Sequence, residues 1–296
     1  MEGPLFTALY ALLAVLARRH PRSRGQIYSD AHIVAVMLWS ALWDRPIRWV
    51  CRLENWQGRC PFLALPSAAT VSRRRRTVGV QLLLAQWLNA LNDHVPGGLF
   101  ARIDARPLTV GGASKDREAR CGFGAGKLAK GYKLHEVRSG AKHLDAWTLT
   151  AMAEREPAVA PRLLGQLTGG GYLTGDNGYD TNDLFARATA AGYQLVAPPR
   201  ASAQALGHQP HDPARLRCQA LLANPLACCG VPTSFGEDLL EDRRAVERNF
   251  GQEALGPTRL GPLPPFVRTP HRVVGYVACK LAIELAWAQN LHLHAA

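Results

Sequence analysis

Gly171-Tyr172-Leu173-Thr174-Gly175-Asp176-Asn177-Gly178-Tyr179-Asp180 is the stretch whose reading decides the fold. A short apolar run, Tyr172 to Thr174, ends in Gly175-Asp176, and Asn177-Gly178 turns the chain. Asp180 and Asp183 precede a helical pattern set by Leu184, Phe185 and Ala188. The order is strand, carboxylate, tight turn, capped helix. A carboxylate at the C-terminal end of a strand faces the crevice where open α/β sheets hold their chemistry. Asp176 is therefore the candidate metal ligand. Asp180 and Asp183 read as a helix cap and a first-turn carboxylate favoured by the helix dipole.

Working outward, Leu99 to Asp104 is a short apolar strand ending in a second carboxylate. A Gly- and Lys-rich loop follows, including Gly122-Phe-Gly-Ala-Gly-Lys127. It lacks the spacing of a P-loop and the Ser/Thr after Lys127, so no nucleotide cofactor is expected. Tyr132 to Val137 alternates as a strand, Ser139-Gly140 turns it, and Leu144 to Thr150 pairs back antiparallel. A helix over 157–167, the opening strand, a helix over 181–191 and the strand Tyr193 to Ala197 complete the series. Three meandering strands, then helix, strand, helix, strand is the order of an RNase H-like α/β fold with a mixed sheet flanked by helices. The irregular stretch 200–236 reads as a small surface insertion. Its His208, His211, Cys218, Cys228 and Cys229 lack zinc-site spacing. The final helix, His271 to Leu291, is expected to pack under the sheet.

Residues 1–95 read as a small all-helical domain of helix-turn-helix type, and the catalytic domain as 96–296. Pro96-Gly97-Gly98 marks the boundary. In Leu65 to Arg76, Ser67 caps a helix that carries Arg73, Arg74, Arg75 and Arg76 toward phosphates; the bland alternative is a solvated helix face. Residues 1–95 hold 12 Arg against 5 Asp and Glu, much of the surplus behind a net charge of +12. A pI near 9.8 points to a polyanionic partner, nucleic acid or an anionic membrane surface. Membrane insertion is not expected: Leu5 to Ala17 is too short, and Val273 to Leu291 is broken by Lys280 and Glu284. Seven Cys in no even framework fit a reducing cytoplasm.

Metal-dependent phosphodiester cleavage needs a few carboxylates around two ions. Mg²⁺ suits such a site, with Mn²⁺ as a substitute. In an RNase H-like core the middle of the first strand and the end of the fourth lie side by side, the places of Asp104 and Asp176. A third carboxylate must come from a helix. Glu247 fits, but spacing alone leaves Glu237, Asp238, Glu241, Asp242 and Glu253 in competition. Arg243, one turn before Glu247, could orient it or hold a phosphate.

The pieces Ile103-Asp-Ala-Arg-Pro-Leu108, Lys127-Leu-Ala-Lys-Gly-Tyr-Lys-Leu-His135, Gly175-Asp-Asn-Gly-Tyr-Asp180, Arg243-Arg-Ala-Val-Glu-Arg-Asn-Phe250 and Leu263-Pro-Pro-Phe-Val-Arg268 together resemble a DDE transposase of the insertion-sequence-4-like kind. The resemblance implies a catalytic and metal-binding triad of Asp104, Asp176 and Glu247 around two Mg²⁺ ions. A Tyr and a Lys that flank the glutamate in the family, and help hold transposon-end phosphates, are Leu240 and Ala254 here. Arg248 or Arg259 would take over that share.

The expected function is DNA transposition: cleavage at the terminal inverted repeats of an insertion sequence, then strand transfer into target DNA. Arg73 to Arg76, Lys127, Lys130, Lys133, Arg243 and Arg248 would hold DNA. A homodimer would bring the two ends together, in the cytoplasm at the nucleoid. The alternatives are an RNase H-like nuclease that does not join strands, and a DNA-binding derivative that has lost catalysis.

Overall fold

A computed structural model describes residues 2–19, 25–124, 126–140, 142–200, 210–223, 234–241 and 260–290. The chain is mixed α/β and divides into two compact units. One is helical and draws on Met1–Val95, Val110–Glu118 and Glu253–Ala296; the other holds the sheet and draws on Pro96–Thr109 and Ala119–Gln252. The C-terminal stretch groups with the helical unit.

The helical unit contains α1 (Glu2–Ala17), α2 (Asp30–Trp43), α3 (Ile47–Val50), α4 (Ala68–Arg74) and α5 (Val78–Asn92). Ser29 caps α2 by accepting from the His32 amide, and Ser67 caps α4 by accepting from the Thr70 amide. Helix α9 (Pro270–Ala288) packs on α1, α2 and α5, and not under the sheet. The sequence explains why. Residues from Gly275 to Ala286 are buried without a break, so α9 has no solvent face and needs neighbours all round, which a bundle supplies. Gly275 allows the closest approach: a Cβ there would lie 2.7 Å from Cε of Met37 on α2. Lys280 and Glu284, which break the apolar stretch of this helix, are both buried. Lys280 Nζ lies 2.8 Å from Asp44 Oδ1, and the Tyr276 hydroxyl donates to the same carboxylate. Trp39 and Trp56 stack at 4.9 Å between centroids, with Phe6 edge-on to both.

The sheet unit is built on β1 (Phe100–Thr109), β2 (Arg120–Gly124), β3 (Lys127–Ser139), β4 (His143–Ala151), β5 (Gly171–Thr174) and β6 (Tyr193–Val196). β3 pairs antiparallel with β1 on one edge, and with β2 and β4 on the other; β5 is parallel to β1, and β6 to β5. Helix α6 (Glu156–Leu164) joins β4 to β5, and α7 (Asn182–Ala190) joins β5 to β6. Ala101, Ile103, Val137 and Leu173 alternate onto one sheet face and pack with Leu163 of α6 and Phe185 of α7. The opposite face carries Asp104.

Two local expectations change. The Gly-rich loop is the hairpin β2–β3, turned at Gly126 (φ 75°) and paired through Phe123 and Leu128. Gly131 is needed there, since a Cβ would lie 2.2 Å from the Leu108 carbonyl oxygen of β1. The irregular insertion contains α8 (Pro213–Ala223), whose Ala214 and Cys218 join the sheet core. Described residues 235–241 are helical, and Leu240 is buried in that core.

Candidate active site

β1 does not end at Asp104. It runs on to Thr109, paired throughout with β3, and leaves Asp104 at mid-strand. Parallel pairing sets Arg102 beside Thr174, the last residue of β5. Two residues further along each chain stand Asp104, still within β1 and by alternation on the Arg102 face, and Asp176, beyond the end of β5. Asp104 Oδ1 accepts from the Ala105 amide at 2.8 Å. Asp176 caps the 3₁₀ turn Asn177–Tyr179, its Oδ1 accepting from the Gly178 amide at 2.7 Å. Each carboxylate is therefore half-buried and oriented by a backbone donor.

The other two acids of the opening stretch have different roles. Thr181, not Asp180, caps α7, through its hydroxyl and the Leu184 amide. Asp180 is buried and receives two hydrogen bonds from Arg215 of α8 and one from the Arg200 amide. Asp183 does sit in the first turn of α7, where it pairs with Arg187 one turn on.

A cluster around Asp104 was not singled out in the sequence. Glu136 of β3 stands directly opposite Asp104, and Arg138 opposite Arg102. Arg138 grips Glu136 at 2.7 Å, with Arg106 at 4.0 Å from its other oxygen. Arg102, Asp104, Arg106, Glu136 and Arg138 line a cleft of about 220 Å³; Asp176 is not among its lining residues. The alternation Arg102-x-Asp104-x-Arg106 is visible in sequence, but its partner Glu136-x-Arg138 becomes relevant only through the β1–β3 register.

Of the basic residues assigned to DNA, several sit elsewhere. Lys133 alternates onto the face opposite Asp104 and is buried, pairing with Glu156 of α6 at 3.3 Å. It does not line a groove at Asp104. Lys127 is exposed and Lys130 half-buried, in the hairpin half of β3. The arginine run splits as a helix must split it. Arg73 and Arg76 are exposed; Arg74 is buried against Asp30 at 2.5 Å and donates to the Tyr28 carbonyl. Arg74 is therefore held as a structural ion pair and is withdrawn from phosphate contact. Arg75 is half-buried, and burial with Arg272 and Arg76 nearby lowers its pKa to about 10.

Glu247, Arg243, Arg248, Ala254 and Arg259 lie outside the described residues, as do His208, Cys228 and Cys229. His211 faces Arg215, and Cys218 is a buried thiol directed at the Ala197 carbonyl, its pKa pushed up by burial. Among the described residues no three His, Cys, Asp or Glu side chains come together as a metal site. Nor, among those residues, is any helix long and apolar enough to cross a membrane.

No family model matches the chain, and no curated protein matches it. Among solved structures it is similar to a piggyBac transposase in a synaptic complex with hairpin DNA, determined by cryo-EM. The two share 12% identity at a TM-score of 0.38, over 68% of this chain and 49% of the other. The chain thus spans about half the length of that transposase. A likeness this low assigns neither a fold nor an activity.

Proposed function

We propose that the chain is a DNA transposase of the DDE type, with Asp104 and Asp176 as two members of the acidic triad and Glu247 as the third. One observation carries the reading. The β1–β5 register pairs Arg102 with Thr174, and two carboxylates 72 residues apart in sequence (176 − 104) each follow that pair by two residues, Asp104 within β1 and Asp176 in the turn after β5. The order β4-β3-β1-β5-β6, antiparallel in its first three strands and parallel in the rest, supports an RNase H-like sheet. The arginine-rich helical unit supports DNA as the partner, and a dimer would hold two ends at once.

The donors fit the metal. Carboxylate oxygens are the hard ligands Mg²⁺ prefers, and a backbone amide orients one oxygen of each. Two bound Mg²⁺ ions would supply an activated oxygen nucleophile and stabilise the departing one. The chain's own contribution is placement. Asp104 is fixed on a strand paired with β3 to Thr109 and with β5 up to Arg102, and Asp176 on a turn it caps itself. Arg102 and Arg106, on the same strand face as Asp104, are placed to hold the phosphate being cut. Glu136 keeps Arg138 and Arg106 ordered beside it.

The test uses full-length protein with a duplex carrying the element's terminal repeat, assayed with and without Mg²⁺. Nicked and joined products are expected only with metal. Asp104→Asn and Asp176→Asn should each abolish both while leaving DNA affinity in place. Full strand transfer by Asp176→Asn would refute the assignment. Nicking without joining would select the nuclease reading, and metal-independent binding alone the non-catalytic one.

A further inference from the structure

The helical unit holds a second cleft, of about 330 Å³, where arginines converge from three separate elements. Arg48 comes from α3, Arg75 from the end of α4 and Arg272 from the first turn of α9. No carboxylate is among its lining residues. The acids of neighbouring elements are committed elsewhere: Asp30 to Arg74, and Asp44 to Lys280 and Tyr276. The Nε groups of Arg75 and Arg272 are buried, and neither has a hydrogen-bond partner among the described residues. Ser72 accepts from Arg75 Nη2 at 3.0 Å and so orients that guanidinium in the wall. Ile47 and Phe266 close the apolar side.

Gathering guanidinium groups this way costs free energy without an anion between them. Two buried N–H donors without acceptors cost more. Burial first, and then the neighbouring arginines, lowers the proton affinity of Arg75 and of His271 next to Arg272. The chemistry that relieves it is a compact tetrahedral oxyanion. Such an anion accepts several N–H donors at once from forked guanidinium groups, which a monovalent spherical ion does less well. The volume is at the low end for ligand pockets, room for a phosphate group with the sugar or waters attached to it.

We propose that this cleft is a phosphate-binding site formed by Arg48, Arg75 and Arg272. The phosphate can belong to a DNA strand or to a free phosphate compound. Only the DNA source rests on the function proposed above; the site itself does not.

The full chain would be titrated with inorganic phosphate, with thermal unfolding and calorimetry as readouts. Wild-type protein should be protected, and Arg272→Gln and Arg75→Gln should each weaken phosphate binding about tenfold or more. Arg48→Gln, at an exposed position on the rim, guards against a folding defect and should also weaken it. Arg18→Gln, at the exposed end of α1, should not. Unchanged phosphate affinity in both Arg272→Gln and Arg48→Gln would overturn the site. Saturating duplex DNA distinguishes the sources. Loss of phosphate protection assigns the site to a strand phosphate, and additive protection assigns it to a free phosphate compound. Phosphate binding that persists where no metal-dependent cleavage is found would sink the transposase reading and leave this site standing.

Discussion

Arg215 closes on Asp180 with two hydrogen bonds, 2.7 Å from Nε to Oδ1 and 2.9 Å from Nη2 to Oδ2. Both side chains are buried, and the Arg200 amide adds a third donor to the same carboxylate. Four residues earlier, Asp176 is half-buried and accepts from the Gly178 amide on Oδ1. The two aspartates thus sit in different environments four residues apart: Asp180 in a buried ion pair, Asp176 at the surface of a turn.

That division is measurable. Asp180→Ala leaves a buried guanidinium without its carboxylate and should cost about 3–5 kcal/mol, the range for breaking a buried pair. Asp176→Asn keeps an oxygen for the Gly178 amide, so its loss should stay below about 1 kcal/mol while metal-dependent cleavage disappears. Denaturant unfolding and cleavage assays on the two variants would show the opposite pattern if the assignment were reversed.

The arginine run should separate in the same way. Arg73→Gln with Arg76→Gln removes two exposed charges. It should weaken DNA binding and flatten the plot of log affinity against log salt by about 2 units. Arg74→Gln breaks the Asp30 pair and should lower stability by about 2–3 kcal/mol. If the salt slope were unchanged in the double variant, these two residues would not be phosphate contacts.

His135 predicts a pH dependence. It is buried at Thr150, Nε2 to Oγ1 2.9 Å. Burial first, then Lys133 and Arg162, lower its pKa from 6.5 to about 4. The unfolded chain therefore binds the extra proton between those values. Stability is fully present above about pH 6.5 and falls as pH drops toward 4, by up to about 3 kcal/mol. His135→Gln should flatten that segment of a stability–pH curve; an unchanged slope would assign the acid sensitivity to other groups.

Asp116 makes a local prediction for the helical unit. Its buried carboxylate accepts from the Thr269 amide at 2.8 Å, just where Thr269 takes φ 71° to start α9. Asp116→Ala should cost about 1–3 kcal/mol, seen as a lower Tm, with no change in DNA affinity. Asp116→Asn keeps an acceptor and should recover most of it.

What the sequence determined by itself was local and periodic. Alternation announced β3, and short apolar runs announced β1 and β5. Ser67 marked a helix start, and the strand–Gly–Asp–turn pattern picked out Asp176. Each of these is set within a few residues by backbone geometry and the nearest polar side chain, so a short window suffices. The tertiary structure decided everything that depends on which surfaces meet. Pairing register put Glu136 and Arg138 beside Asp104 and turned Lys133 to the other face. The uninterrupted burial of α9 placed it among helices, where a one-dimensional pattern of apolar residues could not choose between a bundle and a sheet. Asp180 looked like a cap because its partner, Arg215, lies 35 residues away. An ion pair over that distance leaves no periodicity to read.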